Sequence, residues 1–359
     1  MSELEKFAVY AKHVKKHLPK EAFKPVPARL FGGLAYLIVV VICFLMIGLF
    51  NIHPLVNIIF SFIIGASFAA LGFLGHEILH GTVIRKALLR DILGAIAFWP
   101  LSVSPKIWRK WHNLTHHVHT QHDEHDPDAW PTLEKISKMK VFRSVYRLPL
   151  FVRAFFAFAS LSIQFTAHSL KMLVIYIKEF KPKKQPEVLL QTVVPWASWI
   201  GLLFIMGFEK WIFAFFIPLL IANFIVMAYI STNHRLNPLV PVNDPLANSL
   251  TVTVPKWVDV LHFNFSYHTE HHLFPGMSSK YYPLVKEQIK KMWPERYHEM
   301  PMSEALKALW QTPRVYFDQN QLVDPHTSKS YGSLGHGLNP KRINTRKTQL
   351  TAKSKWGKS

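Results

Sequence analysis

Uncharged hydrophobic runs dominate the pattern of residues along the chain. Four of them, at residues 30–50, 55–74, 188–208 and 211–230, hold 20 or 21 residues each. At about 1.5 Å rise per residue, such a run crosses the roughly 30 Å hydrocarbon core of a bilayer as one helix. Only short turns separate the first run from the second and the third from the fourth. The pattern predicts an all-α integral membrane protein with four transmembrane helices in two hairpins.

Two further apolar stretches are ambiguous. The run at 154–170 has only 17 uncharged residues and is bounded by Arg153 and Lys171, and the run at 92–105 is shorter and contains Pro100. Both are short for a span, so we expect them to lie at the membrane interface. Residues 75–187 and 231–324 then form a helical cap on one side of the membrane, and 30–324 is one domain.

The polar minority of the chain is strongly basic. Lys and Arg number 42 against 22 Asp and Glu, a net charge of +20, while 50% of residues are hydrophobic. Such a charge favours anionic lipid headgroups or an acidic protein, and the apolar runs argue against nucleic acid as a partner. The single cysteine, Cys43, excludes a disulfide framework or a thiolate metal site.

Basic residues also predict the orientation. Seven of them lie in the N-terminal segment 1–29, whereas Lys210 is the only one in the two hairpin turns. The positive-inside rule therefore places both termini and the cap in the cytoplasm. The segment 325–359 has eight basic residues and no acidic one, which predicts a disordered tail that either contacts headgroups or is simply solvated.

Histidines are the chemical anomaly of the chain. Of the 20 histidines, eight form three clusters: His76 and His80; His112, His116 and His117; and His268, His271 and His272. A separation of four residues places two imidazoles on one helix face, so the pairs 76/80, 112/116 and 268/272 can each reach one metal ion. The adjacent His117 and His271 point elsewhere and can reach a second ion. Eight nitrogen ligands exceed one coordination sphere and predict two metal centres.

Two other classes of protein deserve comparison. The string His76-Glu77-Ile78-Leu79-His80 also fits a zinc protease, but the runs 188–208 and 211–230 offer no aspartate as a third ligand. A metal transporter needs ligands at mid-membrane, whereas these clusters lie at helix ends and beyond.

The three clusters resemble the histidine boxes of the membrane fatty acid desaturase and hydroxylase superfamily: HxxxH at 76–80, HxxxHH at 112–117 and HxxHH at 268–272. The strings DPDAWPT at 126–132 and HHLFPG at 271–276 are more similar to the acyl desaturase branch than to the alkane hydroxylases. The resemblance covers roughly residues 30–300.

The resemblance implies a di-iron centre that uses O2 and two external electrons to remove two hydrogens from an acyl chain, leaving a cis double bond and water. It adds His234, just after the fourth run, as a ninth ligand. The substrate is an acyl lipid or acyl thioester within the membrane. The donor is a ferredoxin or a cytochrome b5 with its reductase, because no nucleotide-binding or haem-binding motif is present. Hydroxylation of a lipid, carotenoid or alkane is the nearest alternative.

Several neighbouring residues receive secondary roles. We expect Glu77 and Glu270 to orient imidazole N–H groups, and His119, His122 and His125 to face solvent or to support the ligands from outside. Aromatic residues near the boxes either wall an acyl channel or form an interfacial belt; they are Trp99, Trp108, Trp111 and Trp130. The location implied is the bacterial inner membrane or the endoplasmic reticulum.

Overall fold

The computed structural model describes residues 4–348, which are mostly helical. The α-helices in chain order are α1 Phe7–Lys15, α2 Arg29–Leu49, α3 Pro54–Leu79, α4 Ala87–Phe98, α5 Pro105–Trp108, α6 His117–His119, α7 Leu133–Ser137, α8 Lys140–Val145, α9 Leu150–Tyr176, α10 Gln185–Met206, α11 Phe208–Trp211, α12 Ile217–His234, α13 Pro245–Asn248, α14 Lys256–Leu261, α15 His268–Leu273, α16 Tyr282–Met292 and α17 Met302–Gln311.

Short helices and strands complete the chain. Segments of π-helix span Arg109–His116 and Ile212–Phe216, and 3₁₀ turns span Lys20–Phe23, Trp99–Leu101, Ile177–Glu179, Pro182–Lys184 and Ser279–Tyr281. Within residues 4–348 the strands are β1 Thr251–Thr253, β2 Glu299–Pro301, β3 Gln321–Asp324, β4 Lys329–Gly332 and β5 Arg346–Lys347. β1 pairs with β2 in parallel, and β3, β4 and β5 form an antiparallel sheet.

The protein is a multi-pass membrane protein whose four expected helices are all present. They are α2, α3, α10 and the continuous segment Phe208–His234. Each is apolar over a window of 18 residues and long enough to cross the hydrocarbon core. The two hairpin turns meet at their tips, where the Lys210 ammonium donates to the carbonyl oxygen of Gly48 at 2.8 Å.

Helix α3 is the centre of the bundle and packs against α2, α4 and α12. Its second half is almost wholly buried. Gly65 permits the closest approach to the fourth membrane helix, because a Cβ there would lie 2.7 Å from the Cβ of Ile221. Ser61 adds a hydrogen bond at 2.7 Å to the carbonyl of Phe213 in the adjacent π-helical segment. Small residues thus let two membrane helices pack closely, as is usual in bilayers.

A fifth helix, α9, is longer than the uncharged run within it. The segment Leu150–Glu179 is long and apolar enough to cross a membrane, judged by length and composition alone. Both of its ends contact elements of the cap. Near its start Arg153 pairs with Asp324, and near its end the Tyr176 hydroxyl donates to the Thr115 side chain at 3.4 Å. The stretch 92–105 is a bent part of the chain, in which Ala87–Leu101 and Pro105–His119 meet at 100°.

The end of the chain differs from the disordered tail that we expected. Residues 329–332 pair with β3, and residues 346–347 pair with β4. Tyr331, Leu334 and Leu338 are buried against the cap. The few apolar residues of this basic segment are enough to hold it in a folded conformation, because the edge of β3 provides a strand with which it pairs. Residues 349–359, the rest of the predicted tail, lie outside the described residues.

The basic N-terminal segment is also folded onto the cap. Tyr10 and Val14 of α1 are buried in a cluster with residues of α15 and α16. The Tyr10 ring meets Trp293 edge to face, with ring centroids 4.9 Å apart. The predicted segment 1–29 therefore has an apolar inner face, although most of its charged residues are exposed.

Candidate metal centre

Each histidine box is positioned by the element that carries it. His76 lies on the last turn of α3 and His80 caps that helix. The second box lies on the π-helical segment 109–116 and the start of α6, and the third box lies on α15. His234 is the last residue of α12. All nine imidazoles come together in the interior between these four chain segments.

The nitrogens divide into two groups. In the first histidine group, each residue offers a ring nitrogen within 4.8 Å of all the others; its members are His76, His80, His112, His117 and His271. In the second histidine group, His116, His234 and His272 meet the same criterion. His268 belongs with them, because its Nε2 lies 2.6 Å from Nε2 of His234 and 3.0 Å from Nε2 of His272.

In this division His117 and His271 fall in the opposite group to their immediate neighbours His116 and His272. His112 joins the group of His117, while the predicted pairing of His112 with His116 stays a prediction that the same distance criterion allows. The cause is the local helix: the amide of His117 donates to the carbonyl of His112, an i to i+5 bond. A π-helical turn places residues five apart on one face, and such turns recur at functional sites. His112 still lies at the boundary, within 4.8 Å of His116 and Asp128.

The Nδ1 atoms of four imidazoles are bound by groups outside the centre. Nδ1 of His116 donates to Asp126 at 2.9 Å and Nδ1 of His234 donates to the carbonyl of Asn248 at 3.1 Å. Nδ1 of His271 lies 3.1 Å from the Tyr282 hydroxyl, and Nδ1 of His272 lies 3.3 Å from the Thr120 hydroxyl. These hydroxyls donate elsewhere, to Phe274 and to His116 carbonyls, and so accept here.

This pattern fits metal ligation. Where Nδ1 carries the proton, Nε2 keeps its lone pair and faces the other imidazoles, which is how outer hydrogen bonds orient metal-binding histidines. Several Nε2 atoms lie about 3 Å from one another, for example 3.1 Å between His76 and His112 and 2.9 Å between His117 and His271. The Nε2 of His80 is buried and has no hydrogen-bond partner among the described residues. This convergence of ring nitrogens is compatible with metal ions between them.

Burial determines the protonation of most of the imidazoles. Burial, together with neighbouring imidazoles, lowers the pKa of His112, His117, His271 and His272 well below its ordinary value. They are therefore neutral, which is the form that binds metal. His116 differs: burial lowers its pKa, but Asp126 and Asp128 outweigh that effect and raise it to about 9.

The two glutamates within the boxes have a different role from the one expected. Glu77 accepts from Arg29 at 3.0 Å, from the Ser278 hydroxyl at 2.7 Å and from the Ser279 amide at 2.9 Å. Glu270 accepts from Thr251 at 2.6 Å and from Tyr297 at 2.5 Å. Neither carboxylate contacts an imidazole; each ties its box to a neighbouring segment.

The carboxylates that contact a box histidine are Asp126 and Asp128, which lie at 2.9 and 3.5 Å from Nδ1 of His116 and belong to the flanking string 126–132. Asp128 lies 2.9 Å from Nε2 of His168 and accepts from the Trp111 indole at 3.0 Å. His168 lies outside the three histidine boxes. The signal available in the sequence was the spacing, since Asp126 follows the second box by only nine residues.

A cavity of about 610 Å³ reaches the histidines from one side. His76, His112, His116, His234 and His268 form its inner end. Its walls are mainly apolar and come from the π-helical segment, α8, α9 and α12. Its size lies within the roughly 300–1,000 Å³ typical of ligand sites.

Three of the four aromatic candidates line this cavity: Trp108, Trp111 and Trp130. Trp108 also stacks on His112, with ring centroids 4.3 Å apart. Trp99 instead donates its indole N–H to Ser198 of α10 at 3.0 Å. His119, His122 and His125 stack on one another outside the centre, so they are not among the converging ligands.

Comparison with known proteins agrees with the geometry. The model of the family described as "Fatty acid desaturase" matches residues 52–303. An sn-1 oleoyl-lipid 12-desaturase of Synechocystis is 24% identical over 275 residues, covering 72% of this chain and 74% of that protein. A chloroplastic omega-6 fatty acid desaturase of Glycine max is 22% identical over 273 residues, covering 72% and 62%. A chloroplastic omega-3 desaturase of the same plant is 25% identical over 261 residues, covering 67% and 56%.

Proposed function

The chain belongs to the fatty acid desaturase family, and on that premise we propose that it inserts a cis double bond into the acyl chain of a membrane lipid, using two iron ions held by nine histidines. The observation that carries the proposal is the convergence of nine imidazoles, five of which line an apolar cavity. That the substrate is an acyl lipid is supported by the names of the relatives, which include oleoyl-lipid desaturases.

The two histidine groups suit two separate ions. Five imidazoles form the first and four form the second, and no thiolate is available, since Cys43 lies on α2. Imidazole binds iron well, and two adjacent irons supply the O2-dependent oxidation that an unactivated methylene group requires. The protein's part is to orient the imidazoles, through Asp126, Asn248, Thr120 and Tyr282.

The cavity positions the substrate. An apolar wall favours a hydrocarbon chain over water, and exclusion of water protects a strongly oxidising centre from side reactions. Phe73 and Phe265 stack at 4.2 Å between centroids at the inner end, and Val226 and Met227 of α12 line the same region. These apolar side chains pack against the hydrocarbon chain and thereby position its methylene groups relative to the histidines.

Four spans, with α9 at the interface, fit the contacts best. Four spans return the chain to the side where it starts, so all three boxes and both ends share the cytoplasmic face. The two ends of α9 touch Asp324 and Thr115, and both of these residues belong to the cap. A spanning α9 would separate those contacts by the thickness of the bilayer.

Electrons come from a separate carrier in this proposal, a ferredoxin or a cytochrome b5. The basic character of the chain suits an acidic carrier, because Lys and Arg exceed Asp and Glu by nearly two to one over the whole sequence. Raising the ionic strength is expected to slow electron transfer if charge steers the encounter. An unchanged rate would exclude steering by charge.

Expression in a host that lacks polyunsaturated lipids tests the function. We expect mass spectrometry of the fatty acid methyl esters to reveal a new double bond, and the iron content of the purified protein to be close to two per chain. His272→Ala is expected to abolish the product, whereas His125→Ala, outside the centre, is the matched control. A hydroxylated product would indicate the related hydroxylase chemistry, and stoichiometric zinc with little iron would contradict the proposal.

A further inference from the structure

Two arginines in the cavity wall have no acidic partner. Arg235 and Arg314 both line the cavity, and Arg314 is only 8% exposed. Among the described residues, no carboxylate lies within 4.0 Å of either guanidinium. The other largely buried arginines show the usual arrangement: Arg29 pairs with Glu77, Arg153 with Asp324 and Arg296 with Asp244. A buried charge without a partner is unfavourable, so this exception needs an explanation.

The two guanidiniums share one aromatic support. The Cζ atom of Arg235 lies 4.7 Å from the ring centroid of Trp130, and that of Arg314 lies 5.8 Å from it. Arg314 also has its Cζ atom 5.0 Å from the centroid of Phe158. Stacking on rings positions a guanidinium but does not neutralise it. Both guanidiniums therefore contact the ring of Trp130.

Their donors are only partly used. Arg235 donates Nη2 to the Gln164 side chain at 2.9 Å. Arg314 donates Nε and Nη2 to the carbonyl of Leu309, at 3.1 and 3.0 Å. In the described part of the chain no hydrogen bond involves Nε or Nη1 of Arg235, or Nη1 of Arg314. Each side chain is thus fixed at one edge and keeps donors that can bind a ligand in the cavity.

The nearest acidic influence on Arg235 is already engaged. Asp128 acts on Arg235 from beyond hydrogen-bonding distance, but its oxygens bind Trp111 and His168. A guanidinium keeps its charge at neutral pH, so two cations that line the same cavity repel each other. An anion between them would relieve that repulsion.

We propose that Arg235 and Arg314 bind the phosphate group of a phospholipid whose acyl chain lies in the same cavity. This inference rests on the proposed function and names the substrate class of that site. Guanidinium groups bind phosphate oxygens through paired N–H donors, and two of them suit a phosphodiester that remains anionic at neutral pH. The phosphate end is thereby fixed at the Trp130 wall, and the hydrocarbon extends toward the histidines.

A binding experiment tests the site without any turnover. Dodecyl phosphate and dodecanol are titrated into the detergent-solubilised full-length protein, with the fluorescence of the tryptophans and the melting temperature as readouts. We expect dodecyl phosphate to bind at least about tenfold more tightly than dodecanol, because only the phosphate engages the arginines. Arg235→Gln and Arg314→Gln should each remove about tenfold of that preference. Arg85→Gln, an exposed arginine outside the cavity wall, is the matched control and should change nothing.

Conservative variants separate a binding role from a structural one. Arg235→Lys and Arg314→Lys keep the charge and should retain part of the phosphate preference, whereas the glutamine variants lose it. A preference that survives both glutamine variants would overturn the proposal. If inorganic phosphate alone raised the melting temperature as much as dodecyl phosphate does, the assignment to a lipid would be overturned, since the site would then bind the free ion.

Turnover provides an independent comparison. The iron-loaded enzyme, with an electron donor, is given phosphatidylcholine or the diacylglycerol with the same acyl chains, each in mixed micelles. We expect the glutamine variants to raise KM for the phospholipid by about tenfold more than KM for the diacylglycerol, which has no phosphate. If the wild type desaturates neither lipid but still binds dodecyl phosphate through the arginines, the proposed function fails and the phosphate site stands. Equal losses with both lipids would indicate a structural role and contradict the site.

Discussion

The two histidine groups are held in different ways. In the second group, three of the four imidazoles have an Nδ1 partner: Asp126, the carbonyl of Asn248 and Thr120. In the first group, only His271 of the five has one, the Tyr282 hydroxyl, among the described residues. The others pack against aromatic rings instead. Trp108 contacts His76, His80 and His112, with ring centroids 5.2, 5.4 and 4.3 Å away.

This difference shows two ways to orient a metal ligand. A hydrogen bond at Nδ1 determines which ring nitrogen carries the proton and how the ring is oriented, whereas packing determines only where the ring lies. The first group offsets its weaker orientation with a fifth imidazole. We therefore expect the second group to be sensitive to single hydrogen bonds, and the first group to be sensitive to the shape of its wall.

The largest effect is expected from removing a ligand. His80→Ala leaves four imidazoles in the first group, whereas His268→Ala leaves three in the second. Both should reduce desaturation by at least about 100-fold, and His268→Ala should lose more iron, because three nitrogens leave more of the coordination sphere unfilled. Product analysis and metal content of the purified variants provide the measurement. His125→Ala is the control, and equal iron losses would remove the distinction between the groups.

The next effect is expected from the Asp126 carboxylate. Asp126→Asn replaces the charged acceptor of His116 Nδ1 and should weaken iron binding at the second group by about 10- to 100-fold. Competition with a chelator measures the change. Glu124→Gln, an exposed neighbour two residues away, is the matched control. Iron binding equal to that of the wild type would show that the hydrogen bond at 2.9 Å is not needed for ligation.

A smaller effect is expected from the wall of the first group. Trp108→Leu removes a ring that stacks on His112, and aromatic pairs contribute about 0.5–1.5 kcal/mol beyond the area that they bury. We expect a lower melting temperature and faster iron loss from one of the two sites. The matched control is Trp99→Leu, since Trp99 lies outside the cavity and hydrogen-bonds Ser198. Iron lost equally from both sites would contradict a wall specific to the first group.

The smallest effect is expected at Tyr282. Tyr282→Phe removes the acceptor of His271 Nδ1, and a hydrogen bond of this kind contributes about 0.5–1.5 kcal/mol, or roughly threefold to tenfold in iron affinity. The chelator competition applies here as well, with Tyr281→Phe as the control. A loss as large as that of Asp126→Asn would mean that the first group depends on hydrogen bonds as much as the second does.

The sequence was enough to predict the membrane helices and the set of histidines that converge. The uncharged run 30–50 became Arg29–Leu49, and the run 188–208 became Gln185–Met206. Burying a charge in a membrane is costly, so the length of an uncharged run predicts a membrane helix directly from the sequence. The uncharged run underestimated the length of α9, because Arg153 ends the run but is itself buried and paired with Asp324, 171 residues away.

Other features depended on tertiary contacts that a local pattern does not contain. The grouping of His112 with His117 follows from a π-helical turn, which has no simple sequence signature. Glu77 and Glu270 lie beside ligands in the sequence, but their partners come from distant segments, such as Ser278 and Tyr297. Residues 329–348 are folded because of pairing that starts at the edge of β3, whereas composition alone predicted that they would be disordered.

The π-helical segment limits which sequence changes are compatible with the positions of the histidines. Because His117 reaches the first group only through an i to i+5 turn, one inserted or deleted residue between 112 and 117 would rotate His116 and His117 by about a quarter turn and send each to the wrong neighbour. Substitutions at the intervening positions 113–115 leave that rotation intact. Alignments of related chains should therefore tolerate changes of residue type in this stretch while admitting no gap.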